Sequence, residues 1–136
     1  MTNFSNFINL TPHSVNLFES DGITQVVSIP ASGFILRVEQ DEVDSAPYVV
    51  NVEYGDVYLE DRDKNRVELG EVIPCLDSPV VISSFCIDPM VELGYSSVYV
   101  PNTGPTERGA VRFNEEDAPN PGLVGKIKGV KSLRKV

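Results

Sequence analysis

Three observations predict a mostly β protein, a compact sandwich or barrel of short antiparallel strands with one short helix. Apolar residues recur with period two, turn residues interrupt them every few positions, and only one stretch carries helix boundaries. Asn9-Leu10-Thr11-Pro12-His13 breaks a first apolar run, after which Val15 and Leu17 alternate with Asn16. Asp21-Gly22 then predicts a hairpin turn, because glycine takes the positive φ that such turns demand, with Ile23 to Ile29 returning. Pro30-Ala31-Ser32-Gly33 ends that strand, and Phe34, Leu36 and Val38 alternate with Ile35, Arg37 and Glu39 in the next.

The acidic stretch Gln40 to Ser45 reads as a solvated loop closed by Pro47, and Tyr48 to Glu53 as a strand with Tyr48, Val50 and Val52 on one face. Asp61 to Asn65 gives a second hairpin a polar tip. The continuously apolar Val80-Val81-Ile82 predicts a central strand covered on both faces. In Asp88-Pro89-Met90-Val91-Glu92-Leu93-Gly94, an acid, an early proline and a terminal glycine predict a helix of about two turns. Ser97 to Val100 returns to strand, Pro101 to Pro105 forms a loop stiffened by two prolines, Val111 to Phe113 is short and extended, and Leu123 to Val136 is a closing strand or strand pair. The predicted core includes Leu36, Val50, Val52, Val81, Ile82 and Val100, with Cys75 and Cys86 as buried small hydrophobes.

Length and composition place residues 1–136 in one globular domain: 41% of residues are apolar and 23% charged. The net charge of -9 is uneven, since residues 1–120 hold all 20 acids and six of the 11 bases, while the basic C-terminal segment 121–136 holds the other five. An acidic body repels phosphate, so nucleic acid is not expected as a partner. The tail bases Lys126, Lys128, Lys131, Arg134 and Lys135 have two readings, a solvated last strand or a contact with the acidic surface of another subunit. No apolar run approaches the ~20 residues of a bilayer span, and no leader pattern opens the chain, so no membrane association is expected and a cytosolic setting is.

Five motifs in order, namely Asn9-Leu10-Thr11-Pro12-His13, Ile29-Pro30-Ala31-Ser32-Gly33 followed by Arg37, Ile82-Ser83-Ser84, Val100-Pro101-Asn102-Thr103-Gly104-Pro105 and Gly122-Leu123-Val124-Gly125, carry a resemblance over nearly the full length. The chain resembles a family of small uncharacterised proteins of bacteriophages and actinobacteria with an Asn-Leu-Thr-Pro-His opening. That resemblance implies a phage or prophage setting, hence the cytoplasm of a bacterial host, and implies no activity. The family often has Asp where this chain has Asn102, and its region around Glu115-Glu116-Asp117 is variable.

His13 is the sole histidine, and without a nucleophile elbow or oxyanion loop a Ser-His-Asp arrangement would have to recruit Ser83 or Ser84 to it; no enzyme is expected. One histidine and two cysteines without CxxC spacing leave a zinc site short of ligands, and no cofactor is expected. The candidate ligand-binding residues are His13, Arg37, Asn102, Thr103, Gly104, Arg108 and Arg112. His13 is either part of a turn that satisfies backbone groups or a neutral imidazole offered to a polar ligand. Arg37 is either paired with a local acid or an anion fork. The loop from Pro101 is either a stiff turn or a phosphate or ribose cradle, with Arg108 and Arg112 following to add charge. The favoured expectation is a homo-oligomeric, phage-encoded binder that acts as an anti-defence sponge for a small anionic, nucleotide-type signal. The alternatives are a virion or assembly component and a direct protein inhibitor of a host defence enzyme.

Overall fold

Residues 4–104 and 107–136 are described by a computed structural model of the chain. Their strands are β1 (Ile8–Asn9), β2 (Val15–Phe18), β3 (Gln25–Ile29), β4 (Ile35–Ala46), β5 (Val49–Glu60), β6 (Arg66–Val67), β7 (Val80–Val81), β8 (Val98–Pro101), β9 (Ala110–Arg112), β10 (Ile127–Val130) and β11 (Leu133–Lys135). The helix α1 spans Ile87–Glu92 and is led by a 3-10 turn over Ser84–Cys86. The mostly β class with one short helix is therefore as the sequence predicts.

Strand pairing is mixed rather than wholly antiparallel, and no sheet closes into a barrel. The central sheet runs β1-β7-β8-β11, with β1, β7 and β8 mutually parallel and β11 antiparallel to β8. A second sheet runs β3-β2-β10-β9, in which β2 and β10 are parallel. The third joins β4, β5 and β6.

Period-two alternation in the central sheet explains how the layers are held. Val80, Ile82, Val98 and Val100 are buried in one core with Leu10, Leu36, Leu59, Cys86 and Met90, so this face packs on the third sheet and α1. Val81 lies in the other core with Val15, Leu17, Ile29 and Val130, and Tyr99 packs against it, so the opposite face meets the second sheet. The expectation that Val80-Val81-Ile82 is covered on both faces is met, since all three are 0% exposed. At roughly 1.5–3 kcal/mol per buried aliphatic side chain, this sheet is the main source of stability.

The hairpins at Asp21-Gly22 and Asp61–Asn65 form as predicted. Asp21 accepts the N–H groups of Ile23 and Thr24, at 2.8 and 2.9 Å, and Gly22 has φ 70°. The closing segment is a strand pair in sequence only, because β10 joins the second sheet and β11 the central one.

Three expectations are corrected. Gln40–Ser45 is not a loop but the outer half of β4, paired with β5 up to Ala46↔Val49 around a turn at Pro47-Tyr48. Val50 and Val52 are consequently not core residues, being 46% and 44% exposed on an arm that extends beyond the body. Cys75 is exposed, while Cys86 is buried and its thiol is pushed up to about 11 by desolvation.

Candidate functional site

Because β1, β7 and β8 are parallel neighbours, the segments leaving their carboxyl ends gather at one edge: Thr11–Ser14 after β1, Ser83-Ser84 after β7 and Asn102–Gly104 after β8. The carboxyl ends of adjacent parallel strands are a recurrent place for ligand crevices. Here those segments line a cleft of about 650 Å³, closed on its other side by Asn16, by Ile127 to Val130 of β10, and by Arg134 of β11. That volume lies within the ~300–1,000 Å³ of small-ligand sites.

Asn9 builds the first wall. It is 1% exposed, its amide donates to the carbonyls of His13 and Ile29 at 2.9 and 3.0 Å, and its Oδ1 accepts from the Thr11 N–H at 3.0 Å and the Thr11 hydroxyl at 2.6 Å. The His13 carbonyl, 2.9 Å from the same hydroxyl, is the alternative acceptor for its single proton. The backbone of Thr11-Pro12-His13 is thus folded around a buried amide, and the exposed imidazole of His13 lines the cleft without serving that turn.

The wall after β8 is fixed similarly. The Asn102 amide donates to the Arg108 carbonyl at 3.2 Å and the Ser132 hydroxyl at 3.1 Å, and its Oδ1 accepts the Gly104 N–H at 3.4 Å. Asn102 is therefore occupied in shaping its loop, whereas Thr103 is exposed at the rim. Pro105 lies outside the described residues.

On the floor, Gly129 permits a close approach that no other residue allows. A Cβ there would stand 2.4 Å from a Phe18 ring carbon and 2.6 Å from the Asn16 carbonyl oxygen. This crossing carries Lys128 into the cleft lining, where its ammonium pairs with Asp117 and lies 5.1 Å from the Phe18 ring centroid. The Lys128 hydrogen bond, then the Asn114 N–H, holds the Asp117 carboxyl below its ordinary 3.8. Arg134 forms no salt bridge among the described residues, and no Asp or Glu among them lines the cleft. On a chain of net charge -9 this is a local reversal of sign.

Of the seven candidate residues, His13, Asn102, Thr103 and Gly104 are brought together here, and the other three are not. Arg37 lies in a separate depression that also borders Thr11-Pro12 and pairs with Glu60 at 3.6 Å, because the register Ile35↔Glu60 and Arg37↔Tyr58 puts the two on the same face as diagonal neighbours. Arg112 donates to the Gly125 carbonyl at 2.7 Å, tying β9 to the turn before β10. Arg108 is exposed, and its backbone carbonyl, not its guanidinium, serves the loop by accepting from Asn102 and Ser132. Sequence reasoning missed Asn16, Lys128 and Arg134 as lining residues; the alternation of bases with apolar residues near the chain's end was the available signal. Among the described residues, no three His, Cys, Asp or Glu side chains are grouped to hold a metal ion.

The fold and cleft together define a mostly β protein with a crevice of mixed polar and apolar lining at the ends of parallel strands. No protein-family model, curated protein or solved structure matches the chain. Among the described residues, no helix is long and apolar enough to cross a membrane.

Proposed function

We propose that the chain is a phage-encoded binding protein that sequesters a small anionic, nucleotide-type ligand in this cleft, as an anti-defence sponge. The observation that carries the reading is the cleft lining: Lys128, Arg134 and His13 with hydroxyls and amides, and no carboxylate among the described residues, on an otherwise acidic chain. Arg134 meets the anionic group, since its guanidinium fork suits phosphate oxygens. The hydroxyls of Ser83, Ser84 and Thr103 reach ligand hydroxyls, and the half-neutralised Lys128 adds a second, weaker charge. No Phe, Tyr or Trp side chain lines the cleft among the described residues, so a base rests on the exposed side chains of His13 and Ile127.

The test is calorimetric titration of the full chain against cyclic nucleotides and ADP-ribose derivatives. Arg134→Ala removes a charge-assisted contact of about 1.5–3 kcal/mol and weakens binding at least tenfold. Arg112→Ala leaves binding unchanged, because its guanidinium serves the Gly125 carbonyl outside the cleft. Absence of heat for every compound in the panel refutes the ligand class.

A further inference from the structure

The outer part of the β4–β5 hairpin is an exposed arm, which meets the body near its base where Tyr54 to Val57 share a depression with Phe85 and α1. Every residue from Glu39 to Asp56 is exposed. Its base is clamped by Arg66, which bonds Glu39 at 3.0 Å and Asp56 at 3.2 Å and covers the Tyr58 ring at 4.5 Å. Beyond that clamp an isolated two-stranded ribbon is marginal in water and has unpaired edges.

Register sorts its side chains. Val50 lies opposite Asp44, Val52 opposite Glu42 and Tyr54 opposite Gln40, so one face carries an apolar stripe beside a largely acidic one. The apolar residues are 46%, 44% and 62% exposed, and Tyr48 stands at the tip with φ 64°. The distal acids Asp41, Glu42, Asp44 and Glu53 form no salt bridge among the described residues, and residues 39–56 contain no Lys or Arg.

The complementary pattern lies elsewhere on the same chain. In the basic segment, exposed apolar Val124 and Ile127 flank exposed Lys126 along the chain and exposed Val136 follows exposed Lys135, and neither lysine forms a salt bridge among the described residues. Arm-to-arm pairing would set like charges opposite each other and is unfavourable. We propose that the arm docks on the basic segment of a second copy of this chain, and that two copies exchange arms reciprocally. A ribbon roughly 25 Å long and about 10 Å wide offers a few hundred Å² on one face. That is short of the ~800 Å² per partner of a standard interface, and a two-fold dimer uses each contact twice. The arm, Lys126 and Lys135 lie outside the cleft lining, so the charge-swap variants leave the ligand site intact, and of the acceptor residues named here Ile127 alone is shared with the cleft.

The experiment is sedimentation equilibrium of the full chain at low and high salt. The expected result is a dimer that weakens as salt rises. Glu42→Lys with Asp44→Lys gives a monomer, as does Lys126→Glu with Lys135→Glu, and an equimolar mixture of the two restores a heterodimer because both contacts then pair opposite charges. Val50→Ser with Val52→Ser breaks the dimer without altering charge, and thermal melts of each variant confirm that the body is folded. A wild type that is monomeric at all concentrations, a dimer untouched by these changes, or an open polymer in place of a closed pair overturns the proposal.

Discussion

Replacing Asn9 with alanine should be costly, because one buried side chain organises both the first wall of the cleft and a junction between sheets. The substitution deletes four hydrogen bonds: two donated to the His13 and Ile29 carbonyls and two accepted from Thr11. At about 0.5–1.5 kcal/mol net per bond, with water replacing some of those near the surface, the loss is about 3 kcal/mol. For a domain of this size that lowers the Tm by roughly 10 °C. Thr11→Val removes only the one hydroxyl proton shared between Asn9 Oδ1 and the His13 carbonyl, and should cost about 1 kcal/mol. Urea denaturation of wild type and both variants, with unchanged m-values, measures the two costs. A loss under about 1 kcal/mol for Asn9→Ala, or equal losses for both variants, would show that Asn9 does not organise the turn.

Gly129→Ala drives a methyl into the Phe18 ring and the Asn16 carbonyl and should cost about 2 kcal/mol or more, whereas Gly70→Ala, with nothing within 4 Å, should stay within about 0.5 kcal/mol; indistinguishable melts for the two would contradict the packing. The lowered pKa of Asp117 means that its pairing with Lys128 contributes stability above the ordinary value of 3.8 and loses it as pH falls through the lower folded value. Asp117→Asn should therefore lose less stability than wild type on acidification below about pH 4, with the two curves converging at the lowest pH in thermal melts. The same variant frees the Lys128 charge in the cleft and should bind an anionic nucleotide more tightly by calorimetry; unchanged binding would place Lys128 outside the ligand's reach.

The sequence made local features legible and long-range ones opaque. Val80-Val81-Ile82 announces a doubly covered strand because three consecutive apolar residues put apolar side chains on both faces, and Asp21-Gly22 announces a turn because the geometry is local. The arm misleads on both strands. Gln40–Ser45 has loop composition because β4 is solvated there on both faces, while Val50 and Val52 alternate as a half-buried strand would. Alternation records that a face is apolar and says nothing of whether this chain covers it. The cleft was half legible: Thr11-Pro12-His13 and Asn102-Thr103-Gly104 carry turn chemistry, but their meeting depends on parallel pairing of β1, β7 and β8, which no local pattern encodes. The strand position of Arg37 and the closeness of Arg108 and Arg112 to the Pro101 loop do not encode which partner each guanidinium meets, and in the fold Arg37 pairs with Glu60 and Arg112 with the Gly125 carbonyl.

The placement of β10 and β11 in different sheets also dictates the order in which the chain can fold. β10 sits between β2 and β9, so the second sheet stays in two pieces until residues 127–130 exist, and β11 then completes the central one. The earliest-made strands wait on the latest-made, with Leu17 paired to Val130 across most of the sequence. Long-range closure of this kind slows folding, because the loop entropy is lost before the contacts form. During synthesis the edge of β2 thus spends longest unpaired, and a chain cut short before residue 127 leaves it open permanently, a route to aggregation rather than to a smaller folded domain.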